Sequence, residues 1–317
     1  MALDHASSQF LQQLADQGAP ALHTLSVTDA RTFFSTLREI IGEGPTVDRS
    51  EEFSITSDMA TVTLRALVPS PEPDGIIVYL HGGGWVVGDL DDYDTLARFI
   101  AIESNCAVVL VDYRLAPEHP FPAAINDAWT ALEWVADNQS KVSGVDTPLP
   151  LIVAGDSAGG NLAAVVARKS QGAGGPALAQ QILIYPVTQP DLGTPSYQDP
   201  ANQGLLSQAD MVWFWKNYVP NSAQRQDPDV SPLLAKDLSG LPPAVVITAE
   251  HDVLSGEGAA YARRLEEAGV PVTYHQFKGQ IHGFFTILNA LPESIPAREL
   301  VVSEIGRAIR EANTANV

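Results

Sequence analysis

Five short runs, GIIVYL, CAVVLVD, LPLIVAG, QQILIYP and PAVVITA, are apolar almost end to end, rich in β-branched residues and bounded by turn formers. A strand with one wet face would alternate. Runs without alternation belong to strands buried on both faces of a parallel sheet. Between them lie helical patterns over Asp92 to Ser104, Ala123 to Asp137, Asn161 to Gln171 and Gly256 to Ala268. Strand and helix in alternation predict right-handed crossovers and a doubly wound α/β sheet. A last strand, PVTYHQF, and a helix from Pro296 to about Ala312 close the pattern.

The first seventy residues read differently. Phe10, Leu11 and Leu14 share one helical face, and Phe33, Phe34, Leu37, Ile40 and Ile41 share another that Gly42 ends. The segment EEFSITS precedes ATVTLRALV, where Val62, Leu64, Ala66 and Val68 alternate with Thr61, Thr63 and Arg65. That period of two predicts a half-exposed antiparallel strand at a sheet edge. Residues 187–240, rich in Pro, Asp, Gln and Ser with the aromatic stretch MVWFWKNY, are too long for a plain connection. They are expected to fold over the carboxyl edge of the sheet.

Composition narrows the function. The 38 acidic residues against 18 basic ones give a net charge of −20. A nucleic-acid backbone or an anionic membrane surface would be repelled. No apolar run approaches the ~20 residues of a membrane span, and MALDHASSQFLQQ has neither a basic nor an apolar signal region. A cytoplasmic protein is the expectation. The single cysteine, Cys106, lies in an apolar strand and reads as a core residue. No metal or other cofactor is expected, because HExxH is absent and no Cys/His cluster has ligand spacing.

Gly155-Asp156-Ser157-Ala158-Gly159 matches G-x-S-x-G. Alone the pattern is common. Here it follows the run LPLIVAG and opens the helix NLAAVVARK, so a sharp strand-to-helix turn would lift the Ser157 hydroxyl above the sheet. A phosphate-binding turn would need other glycine spacing and usually a lysine. His81-Gly82-Gly83-Gly84-Trp85 follows the run GIIVYL directly. Three glycines in a row let backbone N–H groups converge on one point, as the oxyanion of acyl transfer requires. The expected donors are Gly83, Gly84 and Ala158, with Gly82 as a further candidate, and His81 is expected to orient the loop.

An acid and a histidine should follow the serine, at strand carboxyl ends. Asp252, after PAVVITA, and His282, after PVTYHQF, meet that condition. Asp252 would hold the tautomer of His282, and His282 would take the proton of Ser157, so activity should fall on acidification. Glu250 and His251 flank Asp252 as competitors. His275 is expected to pack within its strand, while His5, His23 and His119 lie in regions with no route to the elbow.

Together, HGGGW, GDSAGG, the stretch DYRLAPEHPFPA and the contexts of Asp252 and His282 resemble the hormone-sensitive-lipase-like esterases, bacterial lipolytic family IV. The resemblance spans about residues 50–310. It implies the α/β-hydrolase fold with an eight-stranded, mostly parallel sheet, a catalytic domain over 46–317, and a cap built from helices of residues 1–45 and the insertion at about 187–240. It also implies short-chain ester substrates and a homodimer. Val253 departs from the family, where proline often follows the acid. Asp112, Arg114 and Glu118 are expected to form a buried polar network bracing the glycine loop. Trp85, Asp156, Tyr185 and the aromatics at 213–218 are expected around the pocket. Rival readings are a serine peptidase or amidase/deacetylase on the same fold, and an inactive hydrolase homologue that binds a ligand; the peptidase would usually need an extra domain that 317 residues cannot hold.

Overall fold

A computed structural model describes residues 2–58 and 60–315. Residues 316 and 317 of the expected 46–317 domain lie outside them. The strands are β1 (Arg49–Ser57), β2 (Ala60–Val68), β3 (Gly75–Leu80), β4 (Cys106–Asp112), β5 (Leu151–Asp156), β6 (Gln180–Ile184), β7 (Ala244–His251) and β8 (Val272–Ile281). They form one eight-stranded sheet in the order β1-β2-β4-β3-β5-β6-β7-β8. β1 pairs antiparallel with β2, and β2 with β4; every other pairing is parallel.

The helices are α1 (His5–Asp16), α2 (Val27–Ser35), α3 (Leu37–Ile41), α4 (Leu90–Ser104), α5 (Ala123–Asp137), α6 (Gln139–Ser143), α7 (Ala158–Ala173), α8 (Pro195–Gln198), α9 (Gln208–Tyr218), α10 (Ser255–Glu267) and α11 (Ser294–Ala315). Helices α5, α7 and α10 cover one face of the sheet, and α4 and α11 the other. Along β3, Ile76, Val78 and Leu80 enter the first core while Ile77 and Tyr79 enter the second. Apolar surface on both sides is why this run does not alternate.

Two expectations need correction. The second helical pattern is two helices, because Thr36 turns both its N–H and its hydroxyl onto the carbonyl of Phe33 and interrupts the ladder between α2 and α3. The alternating run 60–68 is not the edge strand. β1 covers it, and the alternation of β2 reflects its position away from the fully buried centre.

The insertion holds α8, α9 and three short 3-10 segments. Ser207 and Asp210 start α9 with a reciprocal capping box. At the other end of the chain, α1 docks on β8: Asp4 N–H donates to Gly279 O at 3.0 Å, and Gln280 Nε2 donates to Asp4 Oδ2 at 2.9 Å. Among the described residues no helix is long and apolar enough to cross a membrane.

Candidate active site

β5 ends at Asp156 and α7 begins at Ala158, so Ser157 alone makes the turn. Its backbone stands at φ 55°, ψ −117°, a region L-residues rarely occupy. The turn closes because Gly159 has no side chain: a Cβ there would stand 1.9 Å from Leu80 O. Ser157 is thereby raised over the carboxyl ends of the parallel strands.

β7 delivers Asp252 and β8 delivers His282. His282 Nε2 lies 3.0 Å from Ser157 Oγ, and His282 Nδ1 lies 2.7 Å from Asp252 Oδ2. Asp252 is fully buried and its Oδ1 accepts the Leu254 N–H at 2.9 Å. A carboxylate accepts only, so Nδ1 carries the ring proton and Nε2 is left to accept from the serine hydroxyl. Glu250 instead accepts from Gly279 N–H, and His251 is buried beside it.

The glycine loop approaches from the end of β3. Among the described residues the N–H groups of Gly83, Gly84 and Ala158 take no protein partner. Gly82 does not belong with them: its N–H donates to Asp156 Oδ1 at 3.0 Å. His81 is buried and holds the loop as expected, with Nδ1 2.7 Å from Gly82 O and its ring stacked 4.2 Å from that of Tyr113. Burial pushes its pKa down to about 4, so the ring is neutral. Tyr113 Oη donates to His81 O at 2.7 Å.

Asp156 is enclosed and accepts from Gly82 N–H and from two tyrosines. Tyr79 Oη and Tyr93 Oη donate to it at 3.0 and 3.2 Å. Burial raises its pKa to about 6, against the opposing pull of Tyr79 and the His282 charge. Burial also pushes the Cys106 thiol up to about 12, which keeps it an inert core group.

A cavity of about 470 Å³ contains Ser157, His282, Gly83 and Gly84. Asp156 and Tyr185 line it as expected, the Tyr185 ring lying 4.5 Å from that of His282. Phe214 of α9 lines it, and Leu11, Leu14, Phe33 and Phe34 close it from the first two helices. Trp85 does not line it. At φ 61° its side chain turns into the core, stacked 4.2 Å from Tyr218 and tilted against Trp215 at 5.1 Å. Asp112 and Glu118 are exposed and form no buried network. Arg114 pairs instead with Asp127 and Asp58, and Glu118 pairs with Arg31, which also donates to Val86 O beside the glycine loop. His275 lies within β8, exposed on one side, with its ring 4.5 Å from that of Phe277. His23, expected to have no route to the elbow, lines the same cavity as Ser157. Among the described residues no group of His, Cys, Asp and Glu is placed to hold a metal ion.

Comparison with known proteins agrees with this architecture. A protein-family model described as alpha/beta hydrolase fold matches residues 77–286. Carboxylesterase NlhH of Mycobacterium tuberculosis (strain ATCC 25618 / H37Rv) is 40% identical over 267 residues, 82% of this chain and 83% of its own. Ethyl acetate hydrolase of Pseudomonas putida is 35% identical over 307 residues, 92% of this chain and 95% of its own. The solved hyperthermophilic esterase of Pyrobaculum calidifontis superposes with a TM-score of 0.89 at 38% identity, covering 98% of this chain and 100% of that one. An ester hydrolase from the metagenome of Lake Arreo, solved with a bipyridine phosphonate derivative, gives 0.90 at 37% identity, over 96% and 98%.

Proposed function

This chain belongs to the α/β-hydrolase family, in its hormone-sensitive-lipase-like branch, and is a carboxylic ester hydrolase; we propose that it cleaves short-chain acyl esters with Ser157 as nucleophile, His282 as general base and Asp252 as the acid that orients it. The observation that carries this reading is the unbroken contact from Ser157 Oγ to His282 at 3.0 Å and on to Asp252 at 2.7 Å, beside three unengaged N–H groups.

Ser157 Oγ attacks the ester carbonyl as His282 Nε2 takes its proton. Negative charge on the carbonyl oxygen is met by the N–H groups of Gly83, Gly84 and Ala158, and such a donor lowers the barrier by about 3–4 kcal/mol. The C–O bond to the alcohol breaks, and His282 returns the proton to the leaving oxygen. Water then attacks the acyl-enzyme by the same route and releases the acid. The buried Asp252 carboxylate holds the imidazolium formed in each step.

The cavity of about 470 Å³ supports a small substrate, as does the likeness to an ethyl acetate hydrolase. Helices of residues 1–45 and the insertion at 187–240 act as the cap in this reading, over a catalytic domain of residues 46–317, and the functional unit is a homodimer. Light scattering tests the dimer. The activity is tested with p-nitrophenyl acetate, butyrate, octanoate and palmitate. Turnover of the short esters that Ser157→Ala abolishes supports the reading. A preference for palmitate overturns the chain-length assignment, and turnover that survives in Ser157→Ala overturns the nucleophile. A chain inert toward every ester and toward a fluorophosphonate probe would be a ligand-binding homologue.

A further inference from the structure

The cavity wall carries a second imidazole–carboxylate pair. His23 Nδ1 lies 2.7 Å from Asp210 Oδ1, and the backbone N–H of His23 donates to the same oxygen at 3.0 Å. The other oxygen of Asp210 accepts both the N–H and the hydroxyl of Ser207, at 3.0 and 2.6 Å. Asp210 is buried and accepts on both oxygens, so it holds a proton on Nδ1 of His23. In the uncharged form of the ring Nε2 is then left as an acceptor. Among the described residues Nε2 has no partner, and a third of the side chain, 33%, is exposed where the ring lines the cavity.

Tyr185 Oη, buried beside the His282 ring, also lacks a hydrogen-bond partner, whereas the polar groups nearer His23 are engaged. Arg38 is bound to Asp92 and Asp89. Gln203 donates to Tyr197 O and accepts from Gln208 N–H. Thr286 donates to Gly283 O. Around them the surface is apolar, with Leu11, Leu14, Phe33, Leu37 and Phe214. A fixed acceptor in an apolar pocket selects strongly for a donor placed opposite it.

We propose that His23 is a specificity-determining residue whose Nε2 accepts a hydrogen bond from a hydroxyl group on the ester substrate, so that the preferred substrates are hydroxylated short-chain esters. Asp210 is the positioning residue that fixes the ring and its tautomer while capping α9. The inference rests on the esterase reading above, and the experiment separates the two.

Acetates of propanol, butanol, pentanol and hexanol are compared with the monoacetates of the matching terminal diols and with their methyl ethers. Ethyl butanoate against ethyl 3-hydroxybutanoate covers the acyl side. Turnover of the plain acetates supports the esterase reading; its absence overturns that reading and this inference with it. Where turnover is present, kcat/KM favours the hydroxylated ester over the plain one by roughly threefold to tenfold at one chain length, as one neutral hydrogen bond allows. The methyl ether, which cannot donate, gains nothing. His23→Phe brings the ratio to about one, and His23→Gln, whose amide oxygen can accept, keeps part of it. A ratio near one throughout the wild-type series, an equal gain by the ethers, or a ratio unchanged in His23→Phe overturns the proposal. The wild-type hydroxyl and ether ratios decide it even where the variants fail to fold.

Discussion

Asp156 Oδ1 accepts the N–H of Gly82 at 3.0 Å, so the residue preceding Ser157 also anchors the glycine loop that faces it. Two halves of one site, separated by 74 positions in the chain, are fixed by a single carboxylate.

That carboxylate is raised to about 6 by burial. Asp156→Asn keeps an oxygen for Gly82 but removes the charge that interacts with His282. The ratio of wild-type to variant kcat is expected to be about ten at pH 8 and to shrink toward one by pH 5, where both residues are neutral, with KM little changed. Taking the ratio cancels the titrations that the two enzymes share. A ratio that stays flat across this range would show that only the shape of Asp156 matters.

The same shift has a stability sign. A buried carboxyl with a raised folded pKa stabilises the fold while protonated, and that contribution is lost as pH rises from the unfolded value toward the folded one. Glu257 shows this most strongly. It is fully buried, accepts Thr188 N–H at 2.6 Å and Gln189 N–H at 3.3 Å, and burial pushes it up to about 8. The loss therefore runs from about pH 4.5 to pH 8. Glu257→Gln retains the acceptor, so urea unfolding should find it more stable than wild type by ~4 kcal/mol at pH 8 and nearly equal at pH 4.5. Equal stability at both pH values would refute the assignment.

Ser157 at φ 55°, ψ −117° stores backbone strain that glycine does not feel. Ser157→Ala and Ser157→Gly both remove the hydroxyl and should be inactive. The glycine variant is expected to be the more stable by about 1 kcal/mol, the strain relief of ~1–3 kcal/mol being partly offset by the freedom glycine gains when unfolded. Denaturant titration of the pair measures the difference, and an alanine variant equal to or more stable than the glycine one contradicts it.

Gly84 bears directly on the insertion, since a Cβ there would stand 2.1 Å from the Phe214 ring. Gly84→Ala should lower kcat/KM roughly a hundredfold by displacing α9 or the loop. Adding Phe214→Ala makes room and should recover at least about tenfold of that loss. Failure of the second substitution to help would place the damage in the φ 58° backbone of Gly84 itself.

The sheet was readable because its signal is local. Five runs without alternation became β3 to β7, and the helix read over Ala123 to Asp137 has those bounds in the structure. Ser157, Asp252 and His282 were readable because each follows a recognisable strand. His23 was not, since its meaning depends on Asp210, 187 positions away, and no periodicity connects the two. Trp85 misled for a different reason: its neighbours suggested a pocket, and a positive φ turned the ring inward. The opening strands were ambiguous because alternation reports one exposed face and says nothing about which strand is outermost.

The docking of Asp4 on Gly279 and Gln280 sets an order of events during synthesis. Helix α1 is made well before β8, the strand that seats it, so Leu11 and Leu14 wait for β8 before they can close over the serine. The growing chain must keep that helix from pairing elsewhere in the meantime.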